Sequence, residues 1–139
     1  MTKVLIDTDV ILDFLFDRKP YSDNATKILA LCESGAINGF VTSIMLSNIY
    51  YLLRKTASHV KVIESLKMLL QFLEVQTTDK KAVLAALKSD FKDFEDALQY
   101  FSAQQDSEIS VIITRNVKDY KTSKLAIMPP EIYLKSSAR

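Results

Sequence analysis

Val4-Leu5-Ile6-Asp7-Thr8-Asp9-Val10-Ile11-Leu12-Asp13-Phe14 opens the chain with an apolar run that ends in carboxylates, and the reading of the fold turns on it. Residues 3–6 are too few for a helix and too uniformly apolar for a half-exposed strand. They read as a strand buried on both faces, as in a parallel sheet. Asp7 then falls at the carboxyl end of that strand. In open α/β sheets the ligand crevice lies outside those ends, with helix N-termini pointing into it, so an acid placed there is a candidate for chemistry. Thr8 or Asp9 is positioned to cap a short helix through Phe16.

Near the other end of the chain, Ser110-Val111-Ile112-Ile113-Thr114 repeats the pattern of a central strand and runs into Thr114-Arg115-Asn116. Between the two runs, strand and helix patterns alternate. Pro20 with Ser22 or Asp23 starts a helix whose inward face is Ala25, Ile28, Leu29 and Cys32, and Gly35 ends it. Residues 37–42 form a second strand, and Thr42 or Ser43 caps a helix reaching about Arg54. That helix has an apolar stripe of Met45, Ile49, Leu52 and Leu53, and Asn48 falls within the stripe, where it needs partners. Val62, Ile63, Leu66, Leu69, Leu70 and Leu73 make the cleanest amphipathic helix of the chain, a core element or a contact with another subunit. Residues 73–77 supply a third strand, and Asp79 caps a helix carrying Val83, Ala86 and Leu87.

Asp90-Phe91-Lys92-Asp93-Phe94-Glu95-Asp96-Ala97 is an acid-rich entry into a helix through about Gln105, with Phe94, Ala97, Leu98 and Phe101 as its buried stripe. Asp93 and Asp96 project on one side of it. Residues 125–128 form the last strand, and Pro129-Pro130 stops it before a short helix over 131–134. The alternation predicts a three-layer α/β/α fold, a mostly parallel central sheet of four to five strands with right-handed crossovers, in a single domain over 1–139.

The bulk composition narrows the function classes. A chain of 139 residues, 48% hydrophobic, supports one core and not two. Eighteen basic against seventeen acidic residues leave a net charge of +1, so only local clustering argues for a nucleic-acid partner. A single cysteine, Cys32, excludes an internal disulfide and fits a reducing, cytoplasmic setting. No membrane span or export signal is expected.

If the strands ending at Asp7 and Asn116 are neighbours, and the helix of Asp96 starts beside them, the cluster offers hard oxygen ligands without histidine or cysteine. That donor set suits Mg²⁺ or Mn²⁺, and a divalent ion relieves the repulsion of close carboxylates. Simpler roles stand beside this one. Asp7 serves equally as a strand-end cap, and Asp93, Glu95 and Asp96 as acids favoured at a helix N-terminus, with Glu95 facing solvent. Asn116 and Asp119 suit a turn, and Thr114 a strand-end hydrogen bond. Arg115, Lys118, Lys121 and Lys124 either contact phosphates of a bound nucleic acid, Arg115 and Lys118 foremost, or form a solvated face. His59 lacks acidic or nucleophilic neighbours and is assigned to the surface or a cap.

Taken together, Val4 to Asp13, Asp93-Phe94-Glu95-Asp96-Ala97-Leu98, Ile113-Thr114-Arg115-Asn116-Val117-Lys118-Asp119-Tyr120 and the close Pro130-Glu131-Ile132-Tyr133-Leu134 resemble a PIN domain, the fold of many toxin ribonucleases of bacterial toxin–antitoxin pairs. The likeness spans essentially the whole chain in order. It implies a Mg²⁺- or Mn²⁺-dependent endoribonuclease acting on single-stranded or structured RNA, a cognate antitoxin and a homodimer. Asp7 matches the first metal ligand, Asp96 the acid at the start of the late helix, and Asn116 the Asp or Asn after the penultimate strand. Asp93 is a nearby helper, Thr114 the hydroxyl residue that often precedes Asn116, and Asp9 a cap beside the crevice. Asn48 departs from the pattern, standing where many members carry a catalytic Glu. An amide binds through its carbonyl but adds no charge and takes no proton, which leaves Asp93 or Asp119 to compensate. A catalytically weakened RNA- or protein-binding module is therefore the alternative. A third reading is a haloacid-dehalogenase-like phosphatase with Asp7 as nucleophile and Asp9 as acid/base.

Overall fold

A computed structural model describes residues 2–120 and 123–137. Along the chain run β1 (Lys3–Ile6), α1 (Thr8–Leu15), α2 (Ser22–Glu33), β2 (Asn38–Thr42), α3 (Ser43–Arg54), α4 (His59–Leu69) and β3 (Leu73–Gln76). They are followed by α5 (Lys80–Lys88), α6 (Phe94–Gln104), β4 (Ile109–Ile113), a 3-10 turn (Val117–Tyr120), β5 (Ala126–Met128) and α7 (Pro130–Ser137). All five strands pair in parallel in the order β3-β2-β1-β4-β5, flanked by the helices.

β1 occupies the centre because its side chains tolerate no water: Val4, Leu5 and Ile6 are wholly buried. Each contributes on the order of 1.5–3 kcal/mol from burial alone. Leu5 pairs with Phe40 on one side and Ile6 with Ile113 on the other, so the carboxyl ends of β1 and β4 are neighbours. From β1 the chain winds outward to β2 and β3, then returns to β4 and β5. With right-handed crossovers this reversal sends the intervening helices to opposite faces and opens a crevice at the ends of β1 and β4.

Helix seating follows local chemistry. Thr42 Oγ1 accepts the Met45 N–H at 3.2 Å, and Asp79 Oδ1 accepts the Ala82 N–H at 3.0 Å, capping α3 and α5 as expected. Ala25, Ile28, Leu29 and Cys32 of α2 are all buried. Gly39 permits that packing: a Cβ there would sit 2.5 Å from Cys32 Sγ and 2.8 Å from Leu73 Cδ2. Burial pushes the Cys32 thiol up to about 12, so it is a packing residue and not a nucleophile. Gly35, at φ +81, ends the helix as anticipated.

Several boundaries differ from expectation. α1 is capped by Asp7 and not by Thr8 or Asp9, because the helix begins one residue after the strand ends. At the start of α2, Ser22 and Asp23 lie within the helix and Tyr21 takes the cap position without a side-chain bond. α4 stops at Leu69, and Leu73 begins β3 instead of continuing the helical stripe. Leu52, Leu70, Leu87 and Phe94 are exposed, since the sheet and neighbouring helices cover a narrower stripe than the apolar pattern offers. α7 extends to Ser137, beyond the expected 131–134.

Candidate active site

Asp7 is the first residue beyond β1, and its N–H continues the ladder by donating to Ile113 O at 2.9 Å. The chain turns there directly into α1, so the carboxylate is folded back over the helix start and is only 5% exposed. Its Oδ1 accepts the Thr8 N–H at 2.7 Å, and its Oδ2 accepts the Thr114 hydroxyl at 2.8 Å. The buried Tyr120 hydroxyl lies 3.3 Å from the same Oδ2 and 3.1 Å from Gln99 Oε1, between two acceptors. Despite these donors Asp7 is pushed up to about 7, first by burial and then by the charge of Asp9. Desolvation outweighs the hydrogen bonds.

Asp9 sits in the first turn of α1, where it was expected to cap. Instead its Oδ2 reaches across to the turn after β4, 3.3 Å from Thr114 Oγ1, and accepts the Arg115 N–H at 3.1 Å. Its other oxygen, Oδ1, is buried without a hydrogen-bond partner among the described residues, as is Thr8 Oγ1. Burial holds Asp9 above the ordinary carboxylate range, opposed mainly by the positive charge of Arg115. Thr114 ties these groups together: it is fully buried, donates toward the carboxylates and accepts the Asn116 N–H at 3.0 Å.

On the facing side, Asp93 caps α6 by accepting the Asp96 N–H at 2.9 Å. That contact places Asp96 one turn in, half-buried, where it is pushed up to about 7 by burial and then by the charges of Asp7, Asp93, Asp119 and Glu95. Asp96 is thus within electrostatic reach of Asp7, although 89 positions separate them in the sequence (96 − 7). The space before it is a cavity of about 480 Å³ lined by Asp90, Phe91, Lys92, Asp93, Asp96, Lys118 and Asp119.

The fold therefore gathers Asp7, Asp9, Thr114, Asp93, Asp96, Asp119 and Lys118 around one crevice. Asn116 is exposed and joins through its backbone. Asn48 is half-buried on α3, and its amide makes no hydrogen bond among the described residues; it does not line the cavity. Arg115 is drawn away from solvent: its Nε and Nη2 donate to Asp13 at 2.6 and 3.0 Å. Lys121 lies outside the described residues, and Lys124 is exposed. His59 is exposed at the first turn of α4, its Nδ1 2.8 Å from the Tyr50 hydroxyl. Sequence reading passed over Asp13, Gln99 and Tyr120, all buried, and sent Glu95 to solvent, whereas Glu95 Oε1 accepts Gln99 Nε2 at 3.3 Å. The one available signal was Asp13 inside the otherwise apolar run Val10 to Leu15.

This architecture has a family. Residues 3–118 match the PIN domain model, and the chain belongs to that family. It is similar to ribonuclease VapC1 of Aquifex aeolicus, 24% identical over 134 residues that cover 93% of this chain and 91% of the relative. Among solved structures, a toxin–antitoxin complex from Klebsiella pneumoniae aligns with a TM-score of 0.67 at 20% identity, over 91% of this chain and 97% of that one. Mycobacterium tuberculosis VapC20, described as a sarcin-ricin loop cleaving toxin, aligns at 0.67 and 14% identity, over 91% and 99%. These structural likenesses carry the fold. Family membership displaces the phosphatase alternative, and the Asp9 that it required as acid/base is committed to Thr114 and the Arg115 amide. Among the described residues, no helix is long and apolar enough to cross a membrane.

Proposed function

We infer that this protein is a divalent-metal-dependent endoribonuclease, hydrolysing phosphodiester bonds of single-stranded or structured RNA as the toxin of a toxin–antitoxin pair in the cytoplasm. One observation carries the reading: the fold brings Asp7 and Asp96 to one sheet edge, each raised to about 7 first by burial, then Asp7 by the charge of Asp9 and Asp96 by that of Asp7. Two carboxyls placed to repel each other are costly without a cation to hold. The names of VapC1 and VapC20 support the substrate class, and the Klebsiella complex supports an antitoxin partner.

The donor set fits Mg²⁺ or Mn²⁺. A carboxylate has about four acceptor positions, and among the described residues Asp7 Oδ1 seats only one donor, which leaves room for an ion. Asp9 Oδ1, buried and without a partner among the described residues, adds an unsatisfied oxygen on a second carboxylate. Among the described residues no three His, Cys, Asp or Glu side chains converge into a cage. That is compatible with Mg²⁺, which keeps several waters and is held by one or two carboxylates together with substrate phosphate. When bound, the ion supplies charge neutralisation at the phosphodiester and an acidified water. Asp7 and Asp96 are the ligands, with Asn116 at the rim; Thr114 and Tyr120 orient Asp7, and Asp93 and Asp119 add negative potential. Lys92 and Lys118, on the cavity wall, draw RNA phosphates toward it. Homodimerisation follows from the family resemblance.

Asp7→Asn is the test. Metal-dependent cleavage of single-stranded RNA should fall by roughly 10³-fold or more; cleavage at the wild-type rate would sink the assignment. The weakened-module reading rests on Asn48, an amide that neither coats the cavity nor adds charge. RNA affinity without Mn²⁺ binding or cleavage in the wild type would favour it.

A further inference from the structure

The geometry points to the pair of buried Asp13 and half-buried Arg115 as a positioning device: it locks the turn after β4 onto α1, so that Thr114 and the Arg115 amide stay aimed at Asp7 and Asp9. The inference rests on the crevice being the nuclease site proposed above.

Asp9 and Asp13 lie four residues apart on one face of α1, and both grip Arg115. Asp9 takes the backbone N–H at 3.1 Å, while Asp13 takes the side-chain fork, Nε to Oδ2 at 2.6 Å and Nη2 to Oδ1 at 3.0 Å. A single residue is thus held at both ends by one helix. Asp13 is 1% exposed, and Arg18 Nη1 approaches its Oδ1 at 3.6 Å. The guanidinium of Arg115 also lies over the Tyr21 ring, 3.9 Å from its centroid, which ties the start of α2 into the same contact.

An ion pair with one partner fully buried is a poor source of net stability, because the desolvation cost cancels much of the attraction. A bidentate fork supplies orientation instead: two parallel bonds fix the plane and the direction of the residue that carries it. What Arg115 carries is the turn itself, with Thr114 before it donating to Asp7 and Asn116 after it donating to Thr114. Asp7 caps α1, so any roll of α1 against β4 would separate Asp7 from Thr114. The pair blocks that roll. It also commits the fork of an arginine that, at the mouth of a nuclease crevice, would otherwise be free for phosphate.

The experiment compares Asp13→Asn, Arg115→Met, Arg115→Lys and the double variant Asp13→Asn/Arg115→Met. Mn²⁺ affinity, amide hydrogen exchange at residues 114–116, and kcat and KM on single-stranded RNA are measured where each protein is folded. Both single variants should weaken Mn²⁺ binding by about 10-fold. Exchange at 115 and 116 should quicken, and kcat should fall with KM within about twofold. The double variant should be no worse than either single one, as expected of groups acting as a unit. Arg115→Lys, keeping charge but losing the fork, should fall between wild type and Arg115→Met. If Arg115 instead holds RNA phosphate, Arg115→Met raises KM and reduces the salt slope of RNA binding by about one. Asp13→Asn, buried away from RNA, would then leave Mn²⁺ affinity unchanged, and the inference is overturned. A lowered unfolding midpoint with unchanged Mn²⁺ affinity and exchange reduces the pair to a structural contact and also overturns it. Should the wild type neither bind Mn²⁺ nor cleave RNA, the nuclease reading fails, and amide exchange alone decides whether the turn is locked.

Discussion

On the α1 side of the crevice, Asp7, Asp9 and Asp13 each receive donors from the turn after β4, through the Thr114 hydroxyl, the Arg115 amide and the Arg115 fork. On the α6 side, Asp93 spends one oxygen capping its helix, while Asp96 and Asp119 face the cavity without a side-chain hydrogen bond among the described residues. Both sides carry acids; only one has them tied. The tied side holds geometry through long-range contacts between segments about a hundred residues apart, and the open side holds Asp96, raised to about 7 first by burial and then by the charges of Asp7, Asp93, Asp119 and Glu95. Precise placement and unsatisfied charge are both needed to hold a cation, and the fold assigns them to different walls.

Three substitutions break or sharpen this contrast. Thr114→Val should have the largest effect, because it strips a donor from Asp7 and Asp9 and an acceptor from the Asn116 amide within a fully buried site. A loss of about 2–3 kcal/mol in urea unfolding is expected; a loss below about 0.5 would mean that the tied side is not held by this hydroxyl. Tyr120→Phe removes the donor shared by Asp7 and Gln99 but keeps the ring, so a loss of roughly 1–2 kcal/mol should follow. An unchanged midpoint would assign the hydroxyl no part in holding Asp7.

Asp96→Asn should act in the opposite direction and least strongly. A carboxyl raised from 3.8 to about 7 keeps a proton in the folded state that the unfolded chain has released, so stability without metal declines as pH rises from about 4 to 7. Above that window the full penalty of a desolvated carboxylate among other acids is present, and the amide relieves it. Because Asp96 is half exposed, solvent screening limits the gain to about 1 kcal/mol at pH 8, roughly 3 °C in Tm, with none at pH 4. In the wild type the rise in Tm on adding Mn²⁺ should accordingly be larger at pH 8 than at pH 5. Destabilisation of Asp96→Asn at pH 8 would show that the open side is not repulsive.

The strands were legible where the signal was local. Continuous apolar runs located β1 and β4, and Thr42 and Asp79 marked the starts of α3 and α5 because capping needs only the next three residues. Asp7 and Asp96 were legible as acids at element ends. Misreadings gathered where a residue's partner is remote: Asp9 was read as a local cap and Phe94 as core on helical spacing alone, and the pairing of Arg115 with Asp13 left no local trace. Asp13, Gln99 and Tyr120 are polar, and within a helix or turn a polar residue looks like the wet face until the element covering it is known.

By itself, then, the sequence determined the alternation of strands and helices, the parallel sheet and the placement of acids at strand and helix ends. Those follow from backbone propensity, side-chain period and caps, which act over a few residues. Only the tertiary structure decided that β1 lies beside β4, that Asp96 faces Asp7, and that Asp9 and Asp13 clasp one arginine. Pairing of distant strands selects which polar groups lose water together, and that shared desolvation makes two ordinary carboxyls into a site raised to about 7.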